Sequence, residues 1–304
     1  MKQEIINKAI SNLINKQKEI NKIIQQNLEK AFSNKDFCEA EKRYKQEMIN
    51  NARKEANNEK VDFKTQNQLE KNVKNILKKL NIDTITYKEN CEICHDTFDF
   101  NGKMCSCLKS EISNILIKES GFKKLKSFDE ANFDFYQNKE QIQKIFSKMK
   151  EWCNSNIVNK NLIFISGNTG VGKTFLMQCM AKELIDLGKI VYLTSAFSIN
   201  QNLFNYRNFS DDSETSLNKY LDPEVLFIDD LGSETLRKNL TIENLYIIIN
   251  ERKIRNLPVV ITSNLELSDL REIYGERIYS RIIDRDTSIT LKIEGEDLRT
   301  KNKK

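Results

Sequence analysis

The feature that most constrains this chain is a glycine-rich turn between an apolar run and an amphipathic stretch. Residues 162–165 are consecutive apolar residues of the kind that form a buried parallel strand. They lead into Gly167-x4-Gly172-Lys173-Thr174, which has the complete spacing of a phosphate-binding P-loop. Beyond Thr174, apolar residues recur at helical intervals. A strand, a phosphate loop and a helix therefore follow one another in the order that nucleotide binding requires.

Each part of this loop has an expected chemical role. Glycines allow backbone N–H groups to converge on a phosphate at the positive end of the helix dipole. Lys173 is expected to reach the β- and γ-phosphates of ATP, and the Thr174 hydroxyl is expected to ligate Mg²⁺. The alternative is a chance glycine-rich turn. The predicted nucleotide-binding residues are Gly167, Asn168, Thr169, Gly170, Val171, Gly172, Lys173, Thr174 and Phe175.

Composition indicates a polar protein. Charged residues make up 31% of the 304 residues, and the net charge of +5 permits an acidic partner such as nucleic acid without requiring one. The sequence shows neither an apolar run long enough for a membrane helix nor a signal peptide, so we expect a cytoplasmic location. There the seven cysteines are expected to be reduced thiols or metal ligands.

The first part of the chain has the periodicity of long helices. Apolar residues at steps of three, four or seven predict a helix at 3–32, and similar patterns predict helices at about 36–58 and 66–80. These helices would bury little apolar surface per residue. Residues 1–86 therefore form either a helical hairpin or short coiled coil packed on itself, or a module that docks a partner.

Four cysteines follow these helices at short spacing. Cys91-x2-Cys94 and Cys105-x-Cys107 form two close pairs on either side of a loop that contains a glycine. Tetrahedral Zn²⁺ takes four soft ligands, which two such pairs supply, and the alternatives are a redox pair or unrelated buried thiols. His95, the only histidine, adjoins Cys94 and could replace one cysteine. A closed four-ligand site would be structural rather than catalytic.

A second strand end in the same predicted domain carries acids. Four apolar residues run into Asp229 and Asp230, an arrangement that delivers Asp229 to the Mg²⁺ opposite Thr174. Asp230 would then polarise the attacking water, although two adjacent acids could instead form a turn or cap a helix. A later predicted strand ends in Asn264, whose amide could hold that water or the γ-phosphate.

Alternating strand and helix patterns predict a parallel α/β sheet covered by helices on both faces. A polar, acidic loop is expected at 210–216. We predict that the linker docks Phe128 and Phe133 on the domain that follows it. The predicted organisation is a helical N-terminal region at 1–86, a zinc-binding knuckle with its helix at 87–120, the linker at 121–137 and an ATPase domain at 138–304.

Three segments beyond the P-loop carry a family resemblance: Val-Leu-Phe-Ile-Asp-Asp-Leu-Gly at 225–232, Thr-Ser-Asn-Leu at 262–265, and Gly275-Glu276-Arg277 through Arg281. Together with the P-loop they resemble the AAA+ ATPase core of DnaC/DnaI-type replicative helicase loaders. The cysteine segment is similar to the zinc-binding part of the DnaI-like N-terminal region. The resemblance covers about residues 87–300.

The resemblance implies roles for individual residues. Asn264 is similar to the sensor-1 residue that orients the hydrolytic water. Arg281 resembles the arginine finger that reaches the γ-phosphate of a neighbouring subunit, with Arg277 as the second candidate. Arg299 lies where these loaders carry a sensor-2-like arginine, and a surface ion pair is the alternative for each arginine. Asp230 stands where many AAA+ enzymes have glutamate, and its shorter side chain implies slow hydrolysis.

The resemblance also implies a function, that of an ATP-dependent loader which places the hexameric replicative DNA helicase on single-stranded DNA during replication initiation. The expected cofactors are ATP, Mg²⁺ and Zn²⁺, and the expected partners are the helicase, single-stranded DNA and further copies of the chain. One alternative is a transposition-helper AAA+ ATPase, against which the cysteine segment and the helical N-terminus argue. The other is a nucleotide-switched adaptor that does not hydrolyse ATP, against which the complete set of predicted catalytic residues argues.

Overall fold

The structure is a computed structural model that describes residues 3–61, 63–83, 85–86, 89–122, 124–155, 160–209, 213–236 and 240–298. The chain divides into two compact units, one formed by Ser11–Asp96 and the other by Met1–Ile10 with Thr97–Lys304. Within the described ranges, no helix is both long enough and apolar enough to cross a membrane.

The first unit is built from helices. Helix α1 spans Gln3–Phe32, α2 spans Lys35–Ala56 and α3 spans Lys64–Lys79, close to the bounds that the periodicity predicts. The part of α1 before Ser11 belongs to the second unit. The side chain of Asn34 accepts a hydrogen bond from the Phe37 amide at 2.9 Å and so caps α2. Helices α2 and α3 pack against each other, as a hairpin requires. The small core of this unit consists of Ala31, Phe37, Ala40, Val73 and Ile82.

The second unit begins with a two-stranded hairpin of β1 (Asp99–Phe100) and β2 (Lys103–Met104), and it contains five further strands that form one parallel sheet. These strands are β3 at Leu162–Ser166, β4 at Val191–Ser195, β5 at Val225–Leu231, β6 at Val259–Ser263 and β7 at Ser288–Lys292. Their order in the sheet is β4-β5-β6-β3-β7. Every residue of β3 and β6 is buried, because helices cover both faces of the sheet. The predicted parallel α/β fold is confirmed.

Seven helices of the described chain accompany this sheet. They are α4 at Ser106–Glu119, α5 at Lys139–Asn154, α6 at Lys173–Asp186, α7 at Ala196–Phe209, α8 at Ser213–Leu221, α9 at Leu240–Ile254 and α10 at Leu267–Ile282. Helix α8 corrects the predicted loop at 210–216, of which 210–212 lie outside the described residues. The helix forms because its last turn buries Tyr220 and Leu221.

Helix α4 packs against the sheet. Its Ile112 and Leu116 are buried, and the Ser113 hydroxyl accepts a hydrogen bond from the Val191 amide of β4 at 2.9 Å and donates one to the Lys189 carbonyl at 3.2 Å. The sequence-based division groups this helix with the cysteine knuckle at 87–120, and that division stays a prediction. The contacts of the helix with the sheet were not predicted, because its apolar positions do not reveal which layer they face.

The linker docks on the following helix through aromatic contacts. Phe128 and Phe133 both lie edge-on to Phe146 of α5, with ring centroids 6.3 and 5.1 Å apart. Such edge-to-face pairs stabilise a contact beyond the area that they bury. The linker is therefore packed on the core of the second unit.

A buried arginine joins the starts of two central strands. Arg252 of α9 has 0% exposure, and its guanidinium donates hydrogen bonds to the carbonyls of Tyr220 and Pro223 at 2.9 and 3.0 Å and of Pro258 at 2.9 Å. Burial lowers the pKa of Arg252 to about 9, so the group is charged at neutral pH. Backbone carbonyls thus compensate a buried charge that a carboxylate would otherwise have to neutralise.

Candidate nucleotide and metal sites

The glycine-rich loop connects β3 to α6 in a conformation that depends on its glycines. Gly172, the residue before α6, has a φ of 96°, and a Cβ there would lie 2.4 Å from the Tyr136 hydroxyl. A Cβ on Gly167 would lie 2.2 Å from the carbonyl oxygen of Ile293. Any larger residue at either position would clash with the segments that flank the loop. The glycines therefore allow Tyr136 and Ile293 to pack closely against the loop backbone.

Lys173 folds back over this loop. Its Nζ donates hydrogen bonds to the carbonyls of Gly167 and Asn168, both at 2.7 Å, and to Asn264 Oδ1 at 2.6 Å. Only 7% of the residue is exposed. The ammonium group is thus fixed among oxygen acceptors, the type of partner that phosphate oxygens would provide.

Asp229 at the end of β5 meets the start of α6. Its Oδ1 accepts hydrogen bonds from the hydroxyls of Thr174 at 3.0 Å and Thr262 at 2.6 Å. Burial raises the pKa of Asp229, the neighbouring Asp230 adds to the rise, and the two hydroxyls oppose it. A hydroxyl and a carboxylate at this separation match the hard oxygen donors that Mg²⁺ takes, so the pair fits the ion.

Asp230 is joined to the end of β6. Asn264 Nδ2 donates a hydrogen bond to Asp230 Oδ1 at 2.7 Å, while Asn264 Oδ1 accepts from Lys173. The Asp230 amide donates to the Thr262 hydroxyl at 2.9 Å. Thr262 therefore contacts both acids of the pair, a role that sequence reasoning missed. The role of Thr262 could have been inferred from its position, two residues before Asn264 on a strand next to β5.

These side chains surround one cavity. Its volume is about 300 Å³, and it lies between the phosphate loop and the ends of β5 and β6. A cation, a carboxylate pair, an amide and residues of the glycine-rich loop thus border a space suited to the phosphates of a nucleotide. The lining residues are Thr169, Gly170, Gly172, Lys173, Thr174, Phe175, Asp229, Asp230, Thr262 and Asn264.

Arg281 and Arg277 are not among the residues that line this cavity. Arg281 of α10 donates hydrogen bonds to Asn250 Oδ1 at 2.6 Å and to the Tyr246 hydroxyl at 2.9 Å, and its guanidinium stacks on the Tyr246 ring at 4.4 Å. Arg277 approaches the same ring at 5.8 Å. Arg299 lies outside the described residues. The action of Arg281 on a neighbouring subunit stays a prediction.

The cysteines of the segment 91–107 come together locally. The sulfur atoms of Cys91, Cys94, Cys105 and Cys107 all lie within 4.8 Å of one another. A tetrahedral zinc site with Zn–S bonds of about 2.3 Å would place its sulfurs about 3.8 Å apart, so the group fits this ion. The His95 ring instead pairs with Glu89 at 2.6 Å. The geometry therefore suggests a four-thiolate zinc site.

We expect purified protein to carry about one zinc ion per chain, as a single four-thiolate site implies. Cys91→Ser or Cys107→Ser should release the metal and loosen this segment, because each removes one of four ligands. ATP binding should persist, since the residues that line the nucleotide cavity lie elsewhere. Cys38→Ser, which changes a cysteine outside the group, is the matched control and should retain zinc. Elemental analysis that finds no zinc in freshly purified, unoxidised protein would remove this assignment.

The chain is similar in sequence to several known proteins. Residues 111–304 match the family described as IstB-like ATP binding protein. The chain is 37% identical over 123 residues to the chromosomal replication initiator protein DnaA of Campylobacter jejuni subsp. jejuni; the match covers 40% of this chain and 27% of that protein. It is 26% identical over 200 residues to the phage-like element PBSX protein XkdC of Bacillus subtilis, covering 60% of this chain and 72% of that protein.

The chain is also similar to solved structures. A crystal structure of DnaI has a TM-score of 0.45 and 20% identity, covering 60% of this chain and 92% of that one. A crystal structure of the DnaC helicase loader has a TM-score of 0.46 and 26% identity, covering 54% of this chain and 96% of that one.

The family match includes the phosphate loop, both acids and Asn264, and it extends over more than half of the chain. The chain therefore belongs to the family of IstB-like ATP-binding proteins and is an AAA+ ATPase.

Proposed function

We propose that this chain is an ATP-dependent loader of the replicative DNA helicase, which it places on single-stranded DNA during replication initiation. The observation that carries the proposal is the order of parts. A helical unit and a cysteine cluster precede an ATPase domain whose P-loop, acid pair and Asn264 surround one cavity. The similarity to a replication initiator protein supports a role in replication, although the chain spans only 27% of that relative.

In this proposal each residue around the cavity has a distinct role in ATP binding or hydrolysis. Lys173 binds the β- and γ-phosphates, and Thr174 with Asp229 holds Mg²⁺, which neutralises developing charge when bound. Asp230 polarises the attacking water. The Asn264 amide, which contacts both Lys173 and Asp230, orients that water relative to the γ-phosphate. Asn264 thus joins Lys173 and Asp230 through hydrogen bonds.

The helical unit supplies the proposed contact with the helicase. On α2 the adjacent side chains of Met48 and Ile49 are exposed, as are Ile23 of α1 and Phe63 before α3. Exposed apolar side chains on an amphipathic helix are the anchors through which helices dock on a partner. The hairpin alternative and the docking alternative are therefore compatible, because the buried face of α2 packs on α3 while other apolar residues remain available.

We expect the full chain to retain the hexameric replicative helicase of its host in a pull-down with ATP, and to increase loading of that helicase on circular single-stranded DNA. Ile49→Lys should weaken retention, because it places a charge at the proposed contact. Gln46→Lys adds the same charge at an exposed polar position of α2 and is the matched control.

Other outcomes of the pull-down and of an ATP turnover assay would contradict the loader proposal or favour another function. Absence of helicase binding by the wild-type chain would contradict the loader proposal, and retention of a transposase in its place would favour a transposition helper. Absence of ATP turnover with and without single-stranded DNA would favour a nucleotide-switched adaptor.

A further inference from the structure

Just beyond the acid pair lies a buried carboxylate that the proposed hydrolysis does not use. Glu234 is 6% exposed, and its partner Tyr274 on α10 is 1% exposed. One carboxylate oxygen of Glu234 accepts a hydrogen bond from the Gly232 amide at 2.9 Å, and the other accepts one from the Tyr274 hydroxyl. Burial of a charged group is unfavourable unless hydrogen bonds replace its contacts with water. These contacts place both oxygens of Glu234 on defined donors.

The Gly232 amide belongs to the turn that presents Asp230. Asp230 has a φ of 58°, a left-handed conformation that is unfavourable for a residue with a side chain. Gly232 follows with a φ of 103°, and Ser233 donates from its amide to the Asp230 carbonyl at 3.1 Å. Such a conformation persists only when surrounding contacts hold it. The Glu234–Gly232 hydrogen bond is one of those contacts.

Tyr274 connects this turn to a kink in α10. The next residue, Gly275, has φ 79° and ψ 170°, which interrupts the helix, and Arg277 and Arg281 follow it. Burial and the charge of Glu234 raise the pKa of Tyr274, so the hydroxyl keeps its proton and acts as a donor. A hydrogen bond from a hydroxyl to a carboxylate is stronger than one between neutral groups. The turn that carries Asp230 is therefore fastened to α10 near the kink.

We propose that Glu234 and Tyr274 form a positioning pair that holds Asp230 in the orientation needed to polarise the attacking water. This inference rests on the role that the proposed function gives to Asp230. Neither residue lines the nucleotide cavity, so both act through the backbone of the turn. Loss of the pair lets Asp230 leave its left-handed conformation, and hydrolysis slows while nucleotide binding through the P-loop continues.

Tyr274→Phe and Glu234→Gln test the pair with small changes of shape. Acid–base groups contribute about 10²–10⁴ to rate, so misplacing Asp230 is expected to lower ATP turnover by about tenfold or more in each variant. Affinity for a non-hydrolysable ATP analogue should stay close to that of the wild type, whereas the melting temperature should fall by a few degrees because a buried carboxylate loses a donor. The double variant should lose no more than the larger single loss, because both changes disturb the same Glu234–Tyr274 contact. Tyr220→Phe removes another buried hydroxyl, one that contacts Asn202, and should leave turnover unchanged.

Two results would overturn the inference. One is wild-type turnover in Tyr274→Phe and Glu234→Gln, and the other is a fall in turnover matched by an equal fall in analogue affinity, which indicates a purely structural role. Asp230→Asn, measured in parallel, separates the catalytic role of Asp230 from the positioning role of the pair. If Asp230→Asn loses turnover while the pair variants keep it, only the positioning role fails. If Asp230→Asn keeps wild-type turnover, the assignment of Asp230 fails and the positioning role fails with it.

Discussion

Lys173→Ala is expected to abolish measurable ATP binding. The ammonium group is the principal fixed cation among the described residues that line the cavity, and charge-assisted hydrogen bonds are worth about 1.5–3 kcal/mol each. Loss of two such bonds to phosphate oxygens would weaken binding by at least about 100-fold, at 1.4 kcal/mol for each factor of ten. Titration with a fluorescent ATP analogue measures the effect.

The fold of the Lys173→Ala variant should survive. Lys173 lies at the end of a loop, although its side chain is buried, and the carbonyls of Gly167 and Asn168 that it releases lie beside a cavity that water can enter. Lys182→Ala, a change further along the same helix at a partly exposed lysine, is the matched control and should bind the analogue normally. Wild-type affinity in Lys173→Ala would show that the P-loop assignment is wrong.

Arg281→Ala is expected to bind ATP nearly normally and to hydrolyse it about 10³-fold more slowly. Arginine fingers supplied by a neighbouring molecule contribute about 10³–10⁵ to rate, and a site with aspartate at the water-polarising position should lie at the lower end. Binding should be retained because the contacts of Arg281 are with Tyr246 and Asn250 of α9, away from the residues that line its own cavity. Turnover of the wild type should rise with protein concentration, because the arginine acts between subunits.

The design of this test uses two further variants. Arg271→Ala removes an exposed arginine from the same helix, where it pairs with Glu276, and should leave turnover unchanged. Mixing Arg281→Ala with Lys173→Ala subunits should restore part of the activity, because one of the mixed interfaces combines an intact P-loop with an intact arginine. An Arg281→Ala protein with wild-type turnover at every concentration would contradict the finger assignment and leave an ATPase without an assembly-linked cycle.

Local patterns in the sequence account for much of the fold. Parallel strands buried on both faces are continuous apolar runs, so β3 and β6 could be recognised without a structure. The P-loop spacing is likewise local, since its glycines and Lys173 are close in sequence. Acids at the end of β5 and an amide after β6 could be expected to meet at the same edge, because parallel strands end together.

Contacts between distant residues could not be predicted in this way. The sequence by itself predicted most of the elements and the candidate nucleotide-binding residues, because strand burial, helical periodicity and loop spacing are short-range properties of the chain. Only the tertiary structure decided that α4 packs on β4, that Thr262 bridges the acid pair, and that Glu234 meets Tyr274 on another element. Such partners depend on the packing of whole layers, which brings together side chains whose separation in the sequence carries no periodic signal.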